Sequence, residues 1–242
     1  MRKQMSQDYK MFLQNIFFPN RCPCCGQLIP WRDYLCETCT WQMDQTEDIF
    51  CPRYGKRPSE CLCSDDLPYD RALIVALYHG VAKNGILSMK RAESVNFAKY
   101  CAIQLSERIL QDTLLQSSDC IVSVPMGKWK KLKRCLNPAE ALAKDLSRFS
   151  HISLRKDILW DDGTGKMQHL LSAEERPHNL AHFRIRNVDL TGYRVLLCDD
   201  VLTTGSTMRH CAGLLKSKGA SQVVAVSMTA TELEHTTRRA DT

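Results

Sequence analysis

The stretch VLLCDDVLTTGST, residues 195–207, ends an apolar run on two carboxylates and continues with threonine, glycine and serine. Asp199 and Asp200 can accept hydrogen bonds from sugar hydroxyls or hold Mg²⁺. Backbone N–H groups and hydroxyls at the start of a helix bind anions, and Gly205 lets the backbone approach closely. The pattern predicts a phosphorylated-sugar site that combines the candidate catalytic residues Asp199 and Asp200 with a phosphate loop of Thr203, Thr204, Gly205, Ser206 and Thr207.

Two other interpretations of the acidic pair are less consistent with the sequence. A receiver domain also ends a strand on adjacent aspartates, but no threonine-glycine loop follows them. A solvated turn that merely starts a helix would tolerate the acids, yet it gives no reason for hydroxyls and glycine together. The phosphate-site interpretation therefore accounts best for residues 199–207.

The second chemical motif is a pair of cysteine knuckles near the amino terminus. Cys22-x-x-Cys25 and Cys36-x-x-Cys39 are separated by ten residues, and Gly26 eases the first turn. Two such turns can close a tetrahedral shell of four thiolates around Zn²⁺ at about 2.3 Å per bond. The alternative is four reduced, packed cysteines. A closed shell has no open position for a substrate, so we expect a structural zinc ion.

A further cysteine cluster lacks one member of a second knuckle pair. Cys51, Cys61 and Cys63 remain, and Tyr54 stands where a fourth cysteine is needed. These three could bind zinc with Cys24, a histidine or water as the fourth ligand, or they could pack without metal. Ligand counting leaves both alternatives open.

Composition and hydropathy limit the compartment and the class of protein. The chain has 242 residues, 44% of them hydrophobic, and eight of its thirteen cysteines lie in the first 63 residues. No apolar run approaches the roughly 20 residues of a membrane span, and the amino terminus lacks a small-residue cleavage site. We therefore expect no membrane insertion, a cytoplasmic location and cysteines that bind metal. The net charge of +6 permits contact with phosphates without proving nucleic-acid binding.

From Arg71 onward, strands alternate with helices, which predicts an α/β fold with a mostly parallel sheet covered on both faces. An apolar stripe predicts a helix over 93–110, and Asn137, Pro138 and Glu140 predict an N-cap, a first helical residue and a capping-box glutamate. The predicted strands are 72–78, 120–124, 194–198 and 223–228. Ligands of such sheets bind beyond the carboxyl ends of the strands.

LLCDDVLTTGST closely resembles the phosphoribosyl-pyrophosphate (PRPP) signature of type I phosphoribosyltransferases, and with the zinc ribbon in front the chain resembles the ComF family over nearly all its length. The resemblance implies a type I phosphoribosyltransferase fold with a small amino-terminal zinc ribbon. It implies Asp199 and Asp200 on the ribose hydroxyls, 203–207 on the 5′-phosphate and PRPP bound with Mg²⁺. It also implies single-stranded DNA and a ComFA-like helicase of the DNA-uptake machinery as partners.

Other landmarks of the family match in part. Where the family carries a basic loop and an RGFNQ-like turn, residues 134–138 have lost the glycine and the glutamine. A later segment resembles the flexible lid of phosphoribosyltransferases and matches the family spacing at Gln168, Leu171, Arg176, Asn179 and Phe183. Arg176 would neutralise leaving pyrophosphate, or it would pair with Glu174 or Glu175 on the surface.

Several cations are candidates for pyrophosphate or nucleic-acid contact. One group follows the predicted strand 120–124 and comprises Lys128, Lys130, Lys131 and Arg134, with Trp129 available to stack on a base. The alternative for this group is a solvated loop. Lys90 matches the lysine of an LKY-like family segment, and its alternative role is a surface position on a helix.

The chain is thus expected to contain four parts: an amino-terminal helix over 1–18, a zinc-ribbon domain over 19–68, a phosphoribosyltransferase-like domain over 69–235 and a polar tail over 236–242. The resemblance implies a PRPP-binding phosphoribosyltransferase-like protein connected with DNA uptake in competence or with nucleotide metabolism. The alternative function is a non-catalytic, single-stranded DNA-binding component that acts with a ComFA-like helicase.

Overall fold

The computed structural model describes residues 19–43, 67–127, 136–163 and 182–231. The helices of these residues are α1 (Glu37–Trp41), α2 (Gly80–Lys90), α3 (Asn96–Gln111), α4 (Thr113–Gln116), α5 (Pro138–Ser150) and α6 (Ser206–Ser217). The strands are β1 (Arg71–Leu77), β2 (Cys120–Ser123), β3 (Leu159–Asp161), β4 (Phe183–Ile185), β5 (Arg194–Leu202) and β6 (Gln222–Ala230).

Four of the strands form one parallel sheet in the order β1-β6-β5-β2. Strands β3 and β4 form a separate antiparallel pair. Because β5 and β6 pair over their whole length of nine residues, they form the rigid centre of the sheet. Parallel strands need crossover connections, and helices supply them here. The predicted parallel sheet flanked by helices is confirmed.

Alternate side chains of each strand enter two different cores, one on each face of the sheet. Leu196 and Cys198 of β5 pack in the same apolar cluster as buried residues of α2, α3 and α5. Val195 and Leu197 pack on the opposite face with buried residues of α6. Both faces are therefore covered, as the continuous apolar runs of β1, β5 and β6 require.

Helix α2 crosses the carboxyl edge of the sheet. It starts at Gly80, just after β1, and ends at Lys90, which contacts Asp200 of β5, two strands away. A methyl group at Gly85 would overlap the buried ring of Phe97, so glycine allows α2 to lie directly against α3. No helix over 80–90 was expected from the sequence, although Lys90 itself was a candidate contact residue.

A left-handed turn at Ala92, with φ 59°, ends α2 and fixes where its last residues point. The Ala92 N–H donates to the Met89 carbonyl at 2.9 Å, and the Glu93 N–H donates to the Ser88 carbonyl at 3.1 Å. This pair of bonds is the Schellman arrangement, which usually has glycine at the left-handed position. The bonds satisfy carbonyls that the helix end would otherwise leave unpaired.

The cysteine-rich head packs directly on the α/β body. The Asn96 side-chain amide donates to Asn20 Oδ1 at 2.8 Å, and Cys22, Cys24 and Ile29 share an apolar cluster with buried residues of α3. This contact joins the head to the residues that follow α2. The amino-terminal helix predicted over 1–18 and the polar tail over 236–242 lie outside the described residues, and the domain boundaries stay predictions.

Most local expectations agree with the structure, with one exception. The Asn137 side chain accepts a hydrogen bond from the Ala139 N–H, and Pro138 is the first residue of α5, as predicted. Glu140, however, accepts a bond from Lys156 Nζ at 2.7 Å, so the predicted capping box is replaced by an ion pair. Among the helices of the described residues, none has the length and hydropathy needed to cross a membrane.

Candidate functional site

The two acids lie within β5 itself, at the point where its pairing with β2 stops. The ladder between β2 and β5 ends at Ser123 and Cys198, whereas the ladder between β5 and β6 continues to Leu202. Asp199 and Asp200 therefore lie beside β6 on one side, whereas on the other side the pairing with β2 has already ended. Backbone hydrogen bonds to β6 give them fixed positions at the open carboxyl edge.

Strand alternation places the two acids on opposite faces of the sheet, so they are not equivalent. Asp199 lies on the α6 face, where its charge interacts with the buried Cys211 thiol. Asp200 lies on the α2 face, where its Oδ2 is 3.0 Å from Lys90 Nζ. Each carboxylate also accepts a bond from the next backbone N–H, Asp199 from Asp200 at 2.8 Å and Asp200 from Val201 at 2.9 Å.

Burial acts more strongly on the first acid than on the second. Desolvation raises the pKa of Asp199 well above the usual value for an aspartate, and the neighbouring Asp200 carboxylate raises it further. Lys90 opposes this change only in part. The pair is therefore unequal, because burial disfavours the ionised form of Asp199, whereas Asp200 has Lys90 as an ion-pair partner.

The phosphate loop predicted at 203–207 leads into the amino terminus of α6. Gly205 precedes the helix in the left-handed conformation, φ 72°, and has no side chain that could cap it. Within the described residues, the side-chain cap at this end is a long hydrogen bond of 3.5 Å from the Ser206 N–H to Thr204 Oγ1. The first N–H groups of a helix have no intrahelical partner, so the end of α6 presents donors at the positive pole of the helix dipole.

The hydroxyls of the loop are arranged as a pair. Thr204 Oγ1 and Ser206 Oγ are 2.9 Å apart, so only one of the two protons is used between them and the other can be donated to a ligand. Thr203 and Thr204 are exposed, whereas Ser206 and Thr207 are half-buried. The structure brings all five predicted loop residues together with Asp200 at one edge of the sheet.

Arg209 is a residue of this edge that sequence reasoning missed. Its Nη2 donates to the Thr204 carbonyl at 3.0 Å, which places a guanidinium beside the phosphate loop. Helical spacing could have predicted this position, because Arg209 lies four residues after Gly205 and therefore on the same face of α6, one turn along. Asp161 is another residue that sequence reasoning missed. Its Oδ2 lies 3.6 Å from His182 Nε2, and a Cβ atom added at Gly127, just after β2, would lie 3.2 Å from the same oxygen.

Of the predicted pyrophosphate or nucleic-acid contacts, only Lys90 is in the part of the chain that the structure describes. It lies at the acid pair, with its Nζ 3.0 Å from Asp200 Oδ2. The other five predicted contacts, Lys128, Lys130, Lys131, Arg134 and Arg176, lie outside the described residues.

The four knuckle cysteines form a cluster of the size of a zinc site. Their sulfur atoms all lie within 4.8 Å of one another, and the Cys25 and Cys36 sulfurs are 3.7 Å apart. Tetrahedral Zn–S bonds require sulfurs at roughly 3.8 Å, so modest closure around an ion completes the shell. The cluster supports a structural zinc ion bound by Cys22, Cys25, Cys36 and Cys39, with no open position for a substrate.

The backbone builds this cluster from two turns. Gly26, φ 78°, turns the first knuckle, and its N–H donates to the Cys22 carbonyl at 2.8 Å. Cys36 caps α1 and accepts a bond from the Cys39 N–H at 3.4 Å. Burial raises the pKa of the Cys22 thiol, but hydrogen bonds from the backbone of Cys36, Cys24 and Cys25 outweigh it and bring the pKa to about 7. Thiolate, the form that binds zinc, is thereby favoured at Cys22, whereas burial raises the pKa of the Cys39 thiol.

Cys24 is buried next to this cluster but does not belong to it. Desolvation raises the pKa of its thiol, and it packs in the apolar cluster shared with α3. The other members of the predicted second site, Cys51, Cys61 and Cys63, lie outside the described residues.

Comparisons with known proteins agree with both parts of the chain. Residues 13–69 match the family model of the double zinc ribbon domain, and residues 102–238 match that of the phosphoribosyl transferase domain. DNA utilization protein YhgH of Escherichia coli (strain K12) is 29% identical over 198 residues, which cover 78% of this chain and 87% of that protein.

Two further matches extend over most of the other protein. Competence protein F of Haemophilus influenzae is 26% identical over 226 residues, covering 86% of this chain and 95% of that protein. The solved purine phosphoribosyltransferase from Pyrococcus horikoshii Ot3 is 16% identical, with a TM-score of 0.36, and covers 56% of this chain and 82% of that chain.

The zinc cluster gives a prediction that separates two adjacent buried cysteines. Cys36→Ser should lower the zinc content by about one ion per chain, because three thiolates and a hydroxyl hold the metal poorly. Cys24→Ser should keep the ion of the four-sulfur site. Zinc measured by atomic emission after dialysis against a weak chelator tests both variants, and an undiminished zinc content in Cys36→Ser would show that the four-sulfur assignment is wrong.

The unequal acids predict a pH-dependent stability. The raised pKa means that folded Asp199 keeps a proton that the unfolded chain loses near pH 3.8, so the wild type loses stability as pH rises from that value towards the raised pKa. Asp199→Asn removes this loss and keeps the bond from the Asp200 N–H. The variant should therefore melt higher than wild type at about pH 7 to 8, by a margin that shrinks towards about pH 4. A margin that is independent of pH would contradict the account.

Proposed function

This chain belongs to the ComF family, a double zinc ribbon followed by a phosphoribosyltransferase domain, and we propose that its carboxyl edge binds PRPP. The observation that carries the proposal is the amino terminus of α6, which directly follows the acids of β5 and whose side-chain cap within the described residues is only the long 3.5 Å bond from the Ser206 N–H to Thr204 Oγ1. A phosphate group fits the N–H donors of this helix end, and a pentose joined to it reaches the acids next to it.

The 5′-phosphate is assigned to the loop 203–207. Its ligands are the backbone N–H groups from Gly205 to Thr207 and the hydroxyls of Thr203, Thr204 and Thr207, while the Arg209 guanidinium adds positive charge beside Thr204. Gly205 is buried and has a positive φ, so a side chain there would be strained. Glycine at this position therefore supports a loop that turns directly into the start of α6.

The ribose hydroxyls are assigned to the acid pair. Asp200 is an acceptor, and Asp199 positions it by accepting a bond from its backbone N–H. Burial raises the pKa of Asp199, which favours the protonated form, and that form can also donate a hydrogen bond. The pyrophosphate of PRPP is assigned to the residues that follow β2, together with Lys128, Lys130, Lys131, Arg134 and Arg176, and these contacts stay predictions.

The acid pair is a poor direct ligand for Mg²⁺. A divalent cation prefers ionised oxygens, but Asp200 Oδ2 is already paired with Lys90, and burial raises the pKa of Asp199 and so disfavours its ionised form. We therefore assign no Mg²⁺ to Asp199 and Asp200. Mg²⁺ carried by the pyrophosphate of PRPP stays a prediction.

This arrangement suits transfer of the phosphoribosyl group. When a nitrogen nucleophile attacks C1, a C–N bond forms, the bond from C1 to pyrophosphate breaks, and pyrophosphate leaves with the bonding electrons. The chain would hold both ends of the sugar in place while positive charge develops at C1. Asp200, paired with Lys90, would keep the ribose hydroxyls in place during this step.

Thermal melting with PRPP tests the binding proposal. Ligand at a hundredfold excess over its Kd stabilises a protein by about 2.7 kcal/mol, which corresponds to a rise in Tm of roughly 5–10 °C for a chain of this size. Wild type should show this rise, and Asp200→Asn should lose most of it because an acceptor for the ribose hydroxyls is weakened.

The matched control is Asp33→Asn, which changes an exposed aspartate of the zinc ribbon and should keep the full rise. If PRPP leaves the Tm of the wild type unchanged, the ligand assignment is wrong. If Asp200→Asn responds like wild type, the acid pair has no part in binding.

A second candidate function is the handling of single-stranded DNA. Relatives of similar length are named DNA utilization protein and Competence protein F, and we extend that connection to this chain as a proposal. A ComFA-like helicase is the partner expected in that setting. The cations Lys128, Lys130, Lys131 and Arg134 would contact the phosphates, and Trp129 would stack on a base.

The salt dependence of oligonucleotide binding tests this candidate. Replacing those four cations with glutamine should make the plot of log K against log salt shallower, by about 0.7 for each phosphate that the protein no longer neutralises. Replacing Lys83 and Lys144, which are exposed cations of α2 and α5, should leave the slope unchanged. Wild-type binding that does not respond to salt would contradict a DNA-binding role.

A further inference from the structure

Lys90 is the one lysine of the described residues that pairs with either acid of the site. Its Nζ lies 3.0 Å from Asp200 Oδ2, and about a quarter of each side chain is exposed. The pair is therefore sheltered enough to be more than a surface contact, yet open enough for a sugar hydroxyl to reach it. The phosphate and ribose contacts assigned to the loop and the acids do not use this ammonium group.

The fold holds Lys90 in place from several directions. It is the last residue of α2, whose neighbouring Ile86 and Met89 are fully buried in the core. The left-handed turn at Ala92 stops the helix directly afterwards. The next cation, Arg91, is held by both oxygens of Glu93 and is not available to replace Lys90.

The position of the ammonium group is the position that a cation would take at Asp200. It neutralises the carboxylate, and its other N–H groups remain available as donors to the same ribose hydroxyl that Asp200 accepts from. An unpaired carboxylate there would repel a phosphorylated ligand. The lysine removes that repulsion without an ion from solution.

We propose that Lys90 is the built-in cation of the ribose subsite, a positioning residue that orients Asp200 and lets the subsite bind a phosphorylated pentose without a divalent metal. The inference rests on the proposed function, because it concerns the same ligand. It differs from the pyrophosphate or nucleic-acid contact expected from the sequence, since it assigns Lys90 to the ribose end. Any Mg²⁺ requirement of PRPP binding would then come from its pyrophosphate alone.

Calorimetric titration with ribose 5-phosphate tests this subsite because the probe carries no pyrophosphate. We expect wild type to bind it with the same Kd, within about twofold, in EDTA and in millimolar Mg²⁺. Lys90→Met should weaken binding in EDTA by about tenfold or more, as expected for the loss of a charged hydrogen-bonding group. Mg²⁺ should restore part of the loss by occupying the vacated position at Asp200.

Two control variants accompany Lys90→Met. Lys83→Met removes an exposed lysine of the same helix and should bind like wild type, whereas Lys90→Arg keeps the charge and should retain most of the affinity. A merely structural role for Lys90 would not produce rescue by Mg²⁺.

Three results would overturn the proposal, and they have different meanings. If wild type binds ribose 5-phosphate only with Mg²⁺, Lys90 is not the cation of the subsite. If Lys90→Met binds like wild type in EDTA, the ion pair has no part in ligand positioning. If wild type does not bind ribose 5-phosphate in either condition, the assignment of the sugar phosphate to this edge fails, and the inference fails with it.

Discussion

The site depends on one constraint in the central sheet, the unequal length of the two ladders of β5. Pairing with β6 continues to Leu202, but pairing with β2 stops at Cys198. The acids that follow are held by regular strand hydrogen bonds and still have an open side. Only three residues, 203–205, connect the end of β5 to the start of α6. The position of the phosphate loop is therefore set by the same strand.

The electrostatics of this edge oppose the stability of the fold. Asp199 is buried beside another acid, which raises its pKa and makes the ionised form unfavourable in the folded state. Lys90 compensates for Asp200 but not fully for Asp199. Such unfavourable burial is typical of functional sites, where the position of a charge is more important than its contribution to folding. The zinc ribbon has the opposite role, because metal binding there supports folding.

Much of the fold was predictable because its signals are local. Apolar runs of strand length located β1, β2, β5 and β6, and the sequence Asn137-Pro138 located the start of α5. The spacing of the knuckles identified the four clustered cysteines. The phosphate loop was identified for a similar reason, since all of its groups lie within nine consecutive residues, 199–207.

The remaining features depend on contacts between distant residues. Lys90 and Asp200 are 110 positions apart, and their contact exists only because α2 crosses two strands of the sheet. Glu140 satisfies the local capping pattern, but Lys156 competes for its carboxylate. Strands β3 and β4 have only three residues each, too short for a periodic signal. The unequal roles of the two acids follow from strand alternation, which applies once β5 is known to continue past Cys198.

The most direct test of the central claim is a crystal structure of the protein bound to ribose 5-phosphate. The account predicts phosphate oxygens at about 2.7–3.2 Å from the N–H groups of Gly205, Ser206 and Thr207, with a ribose hydroxyl on Asp200. A phosphate bound elsewhere, with the first N–H groups of α6 capped by side chains of the same loop, would contradict it.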